Sequence, residues 1–221
     1  MSEPVKYVRD YRAWLGIVVL LIASAVFSLI AATVARHDPI LQRDLQVLVW
    51  LHTHGSPAFS AFLLAITYLH SMIGISVFTV ILGAALAQRH KWYWVLALGL
   101  SVGGGMLLNT LLKLAFHRQR PVWDDPLLTL TTNSFPSGHA AAATLFYGFL
   151  SVYVVSHVKE LSLRVACVAA SVLMVALVAF SRMYLGVHYL SDVLAAISIS
   201  TAWLVLCLWG VRTYSNKRRA A

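Results

Sequence analysis

Charge-free apolar runs recur along the chain at lengths that fit a bilayer. Residues 13–35 hold no Asp, Glu, Lys or Arg over 23 positions, residues 92–112 none over 21, and residues 193–211 none over 19. Residues 165–181 add 17 more, extendable backwards through 161–163, and residues 139–157 give 19 with ionisable groups only at their two ends. About twenty apolar residues cross the hydrocarbon as helix, so each run predicts a membrane span. The stretch 45–88 is free of formal charge over 44 residues, but Gly55-Ser56-Pro57 interrupts it, and Pro cannot continue a helix. Residues 41–54 therefore read as an amphipathic or interfacial segment, and residues 58–88 as one long span. At about 1.5 Å per residue that span exceeds the hydrocarbon thickness, which predicts tilt, overhang or a bend near residues 70–74. The result is an all-α, polytopic bundle of six transmembrane helices, at roughly 13–35, 58–88, 92–115, 139–157, 161–183 and 187–211.

Composition agrees. Of 221 residues, 60% are apolar and 11% charged, too few polar groups to coat a soluble domain of this size. No repeat or linker divides the chain, so residues 1–221 form a single domain. Thr33-Val34-Ala35 resembles a signal-cleavage site, but the preceding run is longer than a secretory core of about 7–15 residues, and the first span is expected to stay as an anchor. Cys167 and Cys207 sit inside apolar runs and read as buried thiols.

The net charge of +9 could point to nucleic acid, but its distribution does not. With six spans, residues 1–12, the turns at 89–91 and 159–164 and the tail from Arg212 share one side. They carry eleven Lys and Arg against Glu3, Asp10 and Glu160. The opposite side carries six, Arg36, Arg43, Lys113, Arg118, Arg120 and Arg182, against Asp38, Asp44, Asp124, Asp125 and Asp192. The richer side is expected to be cytoplasmic, with both termini there. The positive charge is thus topology signal and lipid contact, and no nucleic-acid partner is expected.

Ionisable side chains near membrane depth are costly and mark function. Three clusters fall on the side opposite the termini. In residues 113–121, Lys113 precedes the end of the third span by about one turn, on the face of Asn109, and Pro121 sets Arg120 in a loop. A snorkelling helix end is the competing reading. In Phe135-Pro136-Ser137-Gly138-His139, the start of the fourth span offers free N–H groups and a positive dipole end, an anion cradle. Here an ordinary helix cap by Ser137 competes. In residues 181–192, Gly186 marks a turn, and His188 and Asp192 lie four apart at the start of the sixth helix. A carboxylate so placed accepts the imidazole N–H and fixes its tautomer.

Together the clusters supply Lys113, Arg120 and Arg182, a Gly-Ser nest, two histidines and one carboxylate. Three cations with backbone donors match a dianionic tetrahedral group. Two histidines can divide attack on phosphorus from protonation of the departing oxygen. A metal is not called for, because Asp192 is the constellation's one carboxylate and the cations would repel a divalent ion.

Lys113 with six residues before Arg120-Pro121, then Pro136-Ser137-Gly138-His139, then Ser181-Arg182 with five residues before His188 and three more before Asp192, resembles the three-part signature of the type 2 phosphatidic acid phosphatase superfamily. The resemblance implies a phosphatase that needs neither metal nor cofactor and works through a phosphohistidine. It makes His188 the nucleophile, Asp192 its orienting carboxylate and His139 the acid for the leaving group. Lys113, Arg120, Ser137, Gly138 and Arg182 would hold the phosphate. It implies a membrane-lipid substrate: undecaprenyl diphosphate, phosphatidylglycerophosphate or phosphatidic acid, acted on at the outer face of a bacterial inner membrane. Within the family, lipid A dephosphorylation or phosphate transfer to another lipid are alternatives. From another class, an anion transporter or channel explains the cations but not the two histidines. Residues 122–134, with Asp124 and Asp125, are expected to shape substrate choice. His52, His54, His70 and His90 read as interfacial or core histidines and His117 as a bystander. Gly103-Gly104-Gly105 and the alanines at 140–143 read as close-packing residues, and tryptophans such as Trp92 and Trp94 as an interfacial belt.

Overall fold

The computed structural model describes residues 4–39, 41–124, 126, 128 and 130–220, with the side chains of residues 4–13, 52 and 216–220 outside that description. Asp125, the His52 side chain and several terminal charges used for orientation therefore lie outside the described residues. All regular structure among them is helical. The elements are α1 (Pro4–Ala35), α2 (Leu41–Thr53), α3 (Pro57–Leu69), α4 (Met72–Gln88), α5 (Trp92–Gly99), a π-helical turn (Leu100–Gly104), α6 (Gly105–Phe116), α7 (Gly138–His157), α8 (Leu161–Tyr184) and α9 (Leu190–Ala220).

Five helical stretches are long and apolar enough to cross a membrane: Trp14–Ala35, Trp92–Phe116, Gly138–His157, Leu161–Tyr184 and Leu190–Ser215. The sixth is a bent pair, α3 and α4, angled by 50°. The sequence reading of one continuous span over 58–88 is corrected here. His70 and Ser71 separate two helices, each with its own serine N-cap at Ser56 and Ser71. The break falls where a bend was expected, and the His70 ring serves it, contacting Ile66 O at 2.8 Å through Nδ1 and the Tyr147 hydroxyl at 2.7 Å through Nε2.

α7 is the central element, packed against α8, α9, α6 and α4, while α1 lies along α9. Its first turns are buried on every side, with Ala140, Ala141, Ala142 and Ala143 all enclosed. The glycine run acts as a packing device at two positions. A Cβ on Gly104 would lie 2.8 Å from the Trp203 ring, and one on Gly105 2.5 Å from Leu145. Trp203 donates its indole N–H to Leu100 O at 3.0 Å, in the π-helical turn.

α2 has one buried and one exposed face, as an amphipathic segment would: Leu48, Leu51 and Asp44 are buried, packing on α8 and α9, while Leu45 and Trp50 are exposed. The last helix also starts at Leu190 rather than 187, so His188 precedes it in the connecting turn. The antiparallel order then places the C-terminal ends of α6 and α8 and the N-terminal ends of α7 and α9 at one end of the bundle. Every candidate site residue belongs to those four ends or to the loops joining them.

Candidate active site

The link between α6 and α7 folds back over the end of α6. Lys113 Nζ donates to Asn133 O at 2.5 Å and to Ser134 O at 3.3 Å, Asn133 Nδ2 returns a bond to Lys113 O at 2.8 Å, and Ser134 N donates to Arg118 O at 2.8 Å. Phe135 anchors the loop. It is fully buried, with ring centroids 4.8 Å from Phe116 and 6.2 Å from Phe27. Apolar burial thus fixes the residues on either side of it, Ser134 and Pro136-Ser137.

The three sequence clusters meet. A Cβ on Gly138 would stand 3.6 Å from Asn109 Oδ1 and 3.9 Å from Lys113 Cε, which joins the first cluster to the second. Ser137 N donates to Asp192 O at 3.1 Å, joining second to third. Arg120 Nη1 donates to Val187 O at 2.7 Å and lies 3.2 Å from His188 Nε2, joining first to third. Arg120 is held rigidly, its Nε donating to Thr132 O at 2.6 Å and its Nη2 to Thr132 Oγ1 at 2.9 Å.

His188 is 1% exposed and Asp192 0%. Arg120 can only donate, so its contact with Nε2 requires a lone pair on that nitrogen. The proton then sits on Nδ1, which faces Asp192 Oδ2 at 3.3 Å and Ser134 Oγ at 3.4 Å. Burial holds the imidazole neutral, lowering its pKa to about 3 from the usual 6.5. The Asp192 hydrogen bond and charge pull it up, while Arg120 and Arg182 push it down. The arrangement is a neutral ring whose Nε2 carries the lone pair and accepts from Arg120.

Several donors in this region have no protein partner among the described residues. Arg182 is 1% exposed, and only its Nη1 is engaged, to Thr67 Oγ1 at 3.2 Å; Nε and Nη2 are unpaired. The Ser137 hydroxyl sits at the N-cap of α7 but makes no cap bond, and Asn109 Nδ2 is likewise unpaired. The first N–H groups of α7 have no acceptor within the helix. His139 stands in the first turn of α7, directly after Gly138. Buried donors left open around a nucleophilic nitrogen suit an incoming anion with several oxygens.

Some participants escaped the sequence reading. Ser134 donates its hydroxyl to Asp192 Oδ2, and Thr67 of α3 bonds both Arg182 and Ser181 Oγ, the latter at 2.9 Å. Arg118 and Asp44 form ion pairs beside Asp192. None carries a local motif; each reaches the site through long-range packing. His117 lines a cavity of about 1040 Å³ between the end of α1, α2 and the end of α6, whereas His90 and His157 line another of about 490 Å³ by the starts of α5 and the end of α7.

A model of the PAP2 superfamily matches residues 94–215. Phosphatidylglycerophosphatase B of Bacillus subtilis (strain 168) is 31% identical over 176 residues, covering 79% of this chain and 86% of the relative. Lipid phosphate phosphatase delta of Arabidopsis thaliana is 36% identical over 76 residues, 34% of this chain and 18% of that protein. Among solved structures, the transmembrane PAP2 type phosphatidylglycerolphosphate phosphatase from Bacillus subtilis superposes with a TM-score of 0.77 at 29% identity, over 90% of this chain and 96% of that one. LpxE of Aquifex aeolicus gives 0.59 at 26% identity, over 75% and 94%.

Proposed function

This chain belongs to the PAP2 superfamily and is a membrane hydrolase of lipid phosphates, and from that premise we propose that it removes the terminal phosphate of phosphatidylglycerophosphate through a phosphohistidine. The observation that carries the mechanism is the tautomer of His188, proton on Nδ1 and lone pair on Nε2. The choice of lipid draws on the relative of that activity, which aligns over most of both chains. Phosphatidic acid and undecaprenyl diphosphate present the same terminal group and compete as substrates. Lipid A dephosphorylation, or transfer to another lipid, uses the same first step.

Lys113, Arg120 and Arg182, with Ser137 and the backbone at Gly138, bind the phosphate oxygens. His188 Nε2 attacks phosphorus as the ester P–O bond breaks, and the departing lipid oxygen takes the proton carried by His139. Asp192 keeps the proton on Nδ1 and stabilises the ring as positive charge develops. His139, now neutral, takes a proton from water as that water attacks phosphorus. The P–N bond breaks, inorganic phosphate leaves and Nε2 regains its lone pair. Charge moving onto the transferring group meets cations already in place. An anion channel would have use for the cations but none for an oriented imidazole.

The excess of Lys and Arg on the side of the termini supports a reading in which both termini are cytoplasmic and the site faces outward, from a bacterial inner membrane into the periplasm. The head group is then reached from that leaflet while the acyl chains remain in lipid. Purified protein in detergent is expected to release inorganic phosphate from phosphatidylglycerophosphate in the presence of EDTA, with vanadate inhibiting. His188→Ala turning over as fast as the parent refutes the nucleophile assignment.

A further inference from the structure

Against the His188–Asp192 pair lies an ionic cluster that the signature leaves unassigned. Arg118 occupies one of the six unspecified positions between Lys113 and Arg120. Its Nη1 donates to Asp192 Oδ1 and to Ser191 Oγ, both at 2.7 Å, and its Nη2 to Asp44 Oδ2 at 3.0 Å. The guanidinium carbon lies 4.2 Å above the centre of the Tyr189 ring. Its side chain is 12% exposed. Asp44 of α2 accepts from Ser191 N at 3.0 Å through Oδ1 and from the Ser191 hydroxyl through Oδ2. Ser191 N is in the first turn of α9, where an N–H has no partner in its own helix. Asp44 therefore caps α9 from another element.

The consequence falls on Asp192. Its Oδ1 is taken by Arg118, and its Oδ2 by Ser134 and by Tyr189 N at 3.0 Å, leaving His188 Nδ1 at 3.3 Å as the longest of its partners. A carboxylate gripped at both oxygens cannot rotate, and the weakest bond inherits the plane set by the others. Arg118 cannot swing away without giving up Asp44. Asp44 in turn is fixed by α2, whose Leu48 and Leu51 are buried on its inner side. We infer that Arg118, braced by Asp44, is a positioning residue of the reaction, holding the Asp192 carboxylate in the plane that aims His188 Nε2 at phosphorus. This rests on the phosphatase reading, and it gives α2 a part in catalysis although α2 carries no residue of the signature.

The test measures steady-state phosphate release and competitive inhibition by inorganic phosphate, using the full-length protein in detergent. The variants are Arg118→Gln, Arg118→Lys, Asp44→Asn and the double Arg118→Gln/Asp44→Asn. Arg118→Gln is expected to lower kcat by roughly 10–100-fold, the range for groups that orient a reacting side chain. KM and the phosphate inhibition constant should stay within about twofold, because Lys113, Arg120 and Arg182 are untouched. Arg118→Lys keeps the charge and restores part of the loss. Asp44→Asn lowers kcat by a smaller factor, and the double variant falls no further than Arg118→Gln, since Asp44 acts through Arg118. A role in folding alone would lower the yield of active protein without this split or the rescue. Where Arg118→Gln does not fold, Asp44→Asn and Arg118→Lys carry the test. An Arg118→Gln or Asp44→Asn enzyme with kcat within twofold of the parent overturns the inference, as do losses that multiply in the double variant. A parent that releases no phosphate overturns the phosphatase reading instead.

Discussion

Arg182 is the buried cation whose removal separates binding from stability. Its guanidinium is 1% exposed, one nitrogen reaches Thr67 Oγ1 at 3.2 Å, and Nε and Nη2 have no protein partner. Arg182→Met keeps an unbranched side chain and deletes the charge. The lost Thr67 bond costs about 0.5–1.5 kcal/mol, and a buried donor without a partner costs about 1–3 kcal/mol. Two such donors disappear together with a buried charge, whose desolvation is itself several kcal/mol. Even at the low end, about 2 kcal/mol for two donors against about 1.5 for the bond, the balance favours the substrate-free variant, so it is expected to unfold no earlier than the parent. Catalysis moves the other way. Removing one preplaced donor to developing negative charge costs about 2.7–4 kcal/mol, or roughly 10²–10³ in rate. Thermal unfolding followed by tryptophan fluorescence, paired with phosphate release, reads both effects. Inorganic phosphate or vanadate should stabilise the parent far more than the variant. A lower Tm with turnover intact would refute the reasoning, because Arg182 would then be a structural brace and not a phosphate ligand.

Three further outcomes are expected. Ser137→Ala should leave Tm nearly unchanged, since the hydroxyl makes no cap bond and the usual penalty of about 1 kcal/mol does not apply; kcat/KM should drop by about tenfold. Gly186→Ala should lower Tm by several degrees in a melt, because Gly186 has φ +72° and a Cβ would stand 2.5 Å from Trp123 Nε1, costing about 1–2 kcal/mol for the backbone alone. Acidification should destabilise the parent through His188. The unfolded ring takes a proton near 6.5 and the folded ring only near 3, so between those values the unfolded chain binds more protons and stability falls as pH falls. Melts of His188→Asn across pH 4–7 should show a shallower slope than the parent, and equal slopes would contradict a neutral buried imidazole.

The spans were readable because a charge-free run of about twenty residues has few other uses. The bend in the second span was readable too, although its position at His70 depends on a Tyr147 contact that no local pattern announces. The meeting of the three clusters followed from parity, since in an antiparallel bundle the end of one span and the start of the next share a face. What could not be read was whatever depends on distance along the chain. Asp44 lies 147 positions from Ser191, and Arg118 lies 74 from Asp192. In sequence Asp44 belongs to the amphipathic or interfacial segment 41–54 and Arg118 to the first candidate cluster, and no local pattern pairs them. Ser134 and Thr132 belong to the segment expected to shape substrate choice, and only the fold brings them against Asp192 and Arg120. Of the two readings of 41–54, the amphipathic one suits a helix with one face buried and one face out.

Arg118 and Asp44 settle an electrostatic conflict in the site. Asp192 contacts His188, and His188 in turn contacts Arg120 and the backbone of Arg182, so the one carboxylate of the signature lies among its cations. A carboxylate free to turn would pair with one of those cations and fill the place meant for phosphate. Low dielectric would make such a pair hard to displace. Arg118 supplies a fixed partner to one oxygen at 2.7 Å, with Ser134 and Tyr189 N on the other. Asp44 then balances Arg118, so the pairing adds no cation to a site already rich in them. On the phosphatase reading the cations are left for the substrate, while the one negative group the chemistry needs is kept paired with Arg118. A dianion can enter such a site without first breaking an internal salt bridge, which is the condition for binding energy to be available to the transition state.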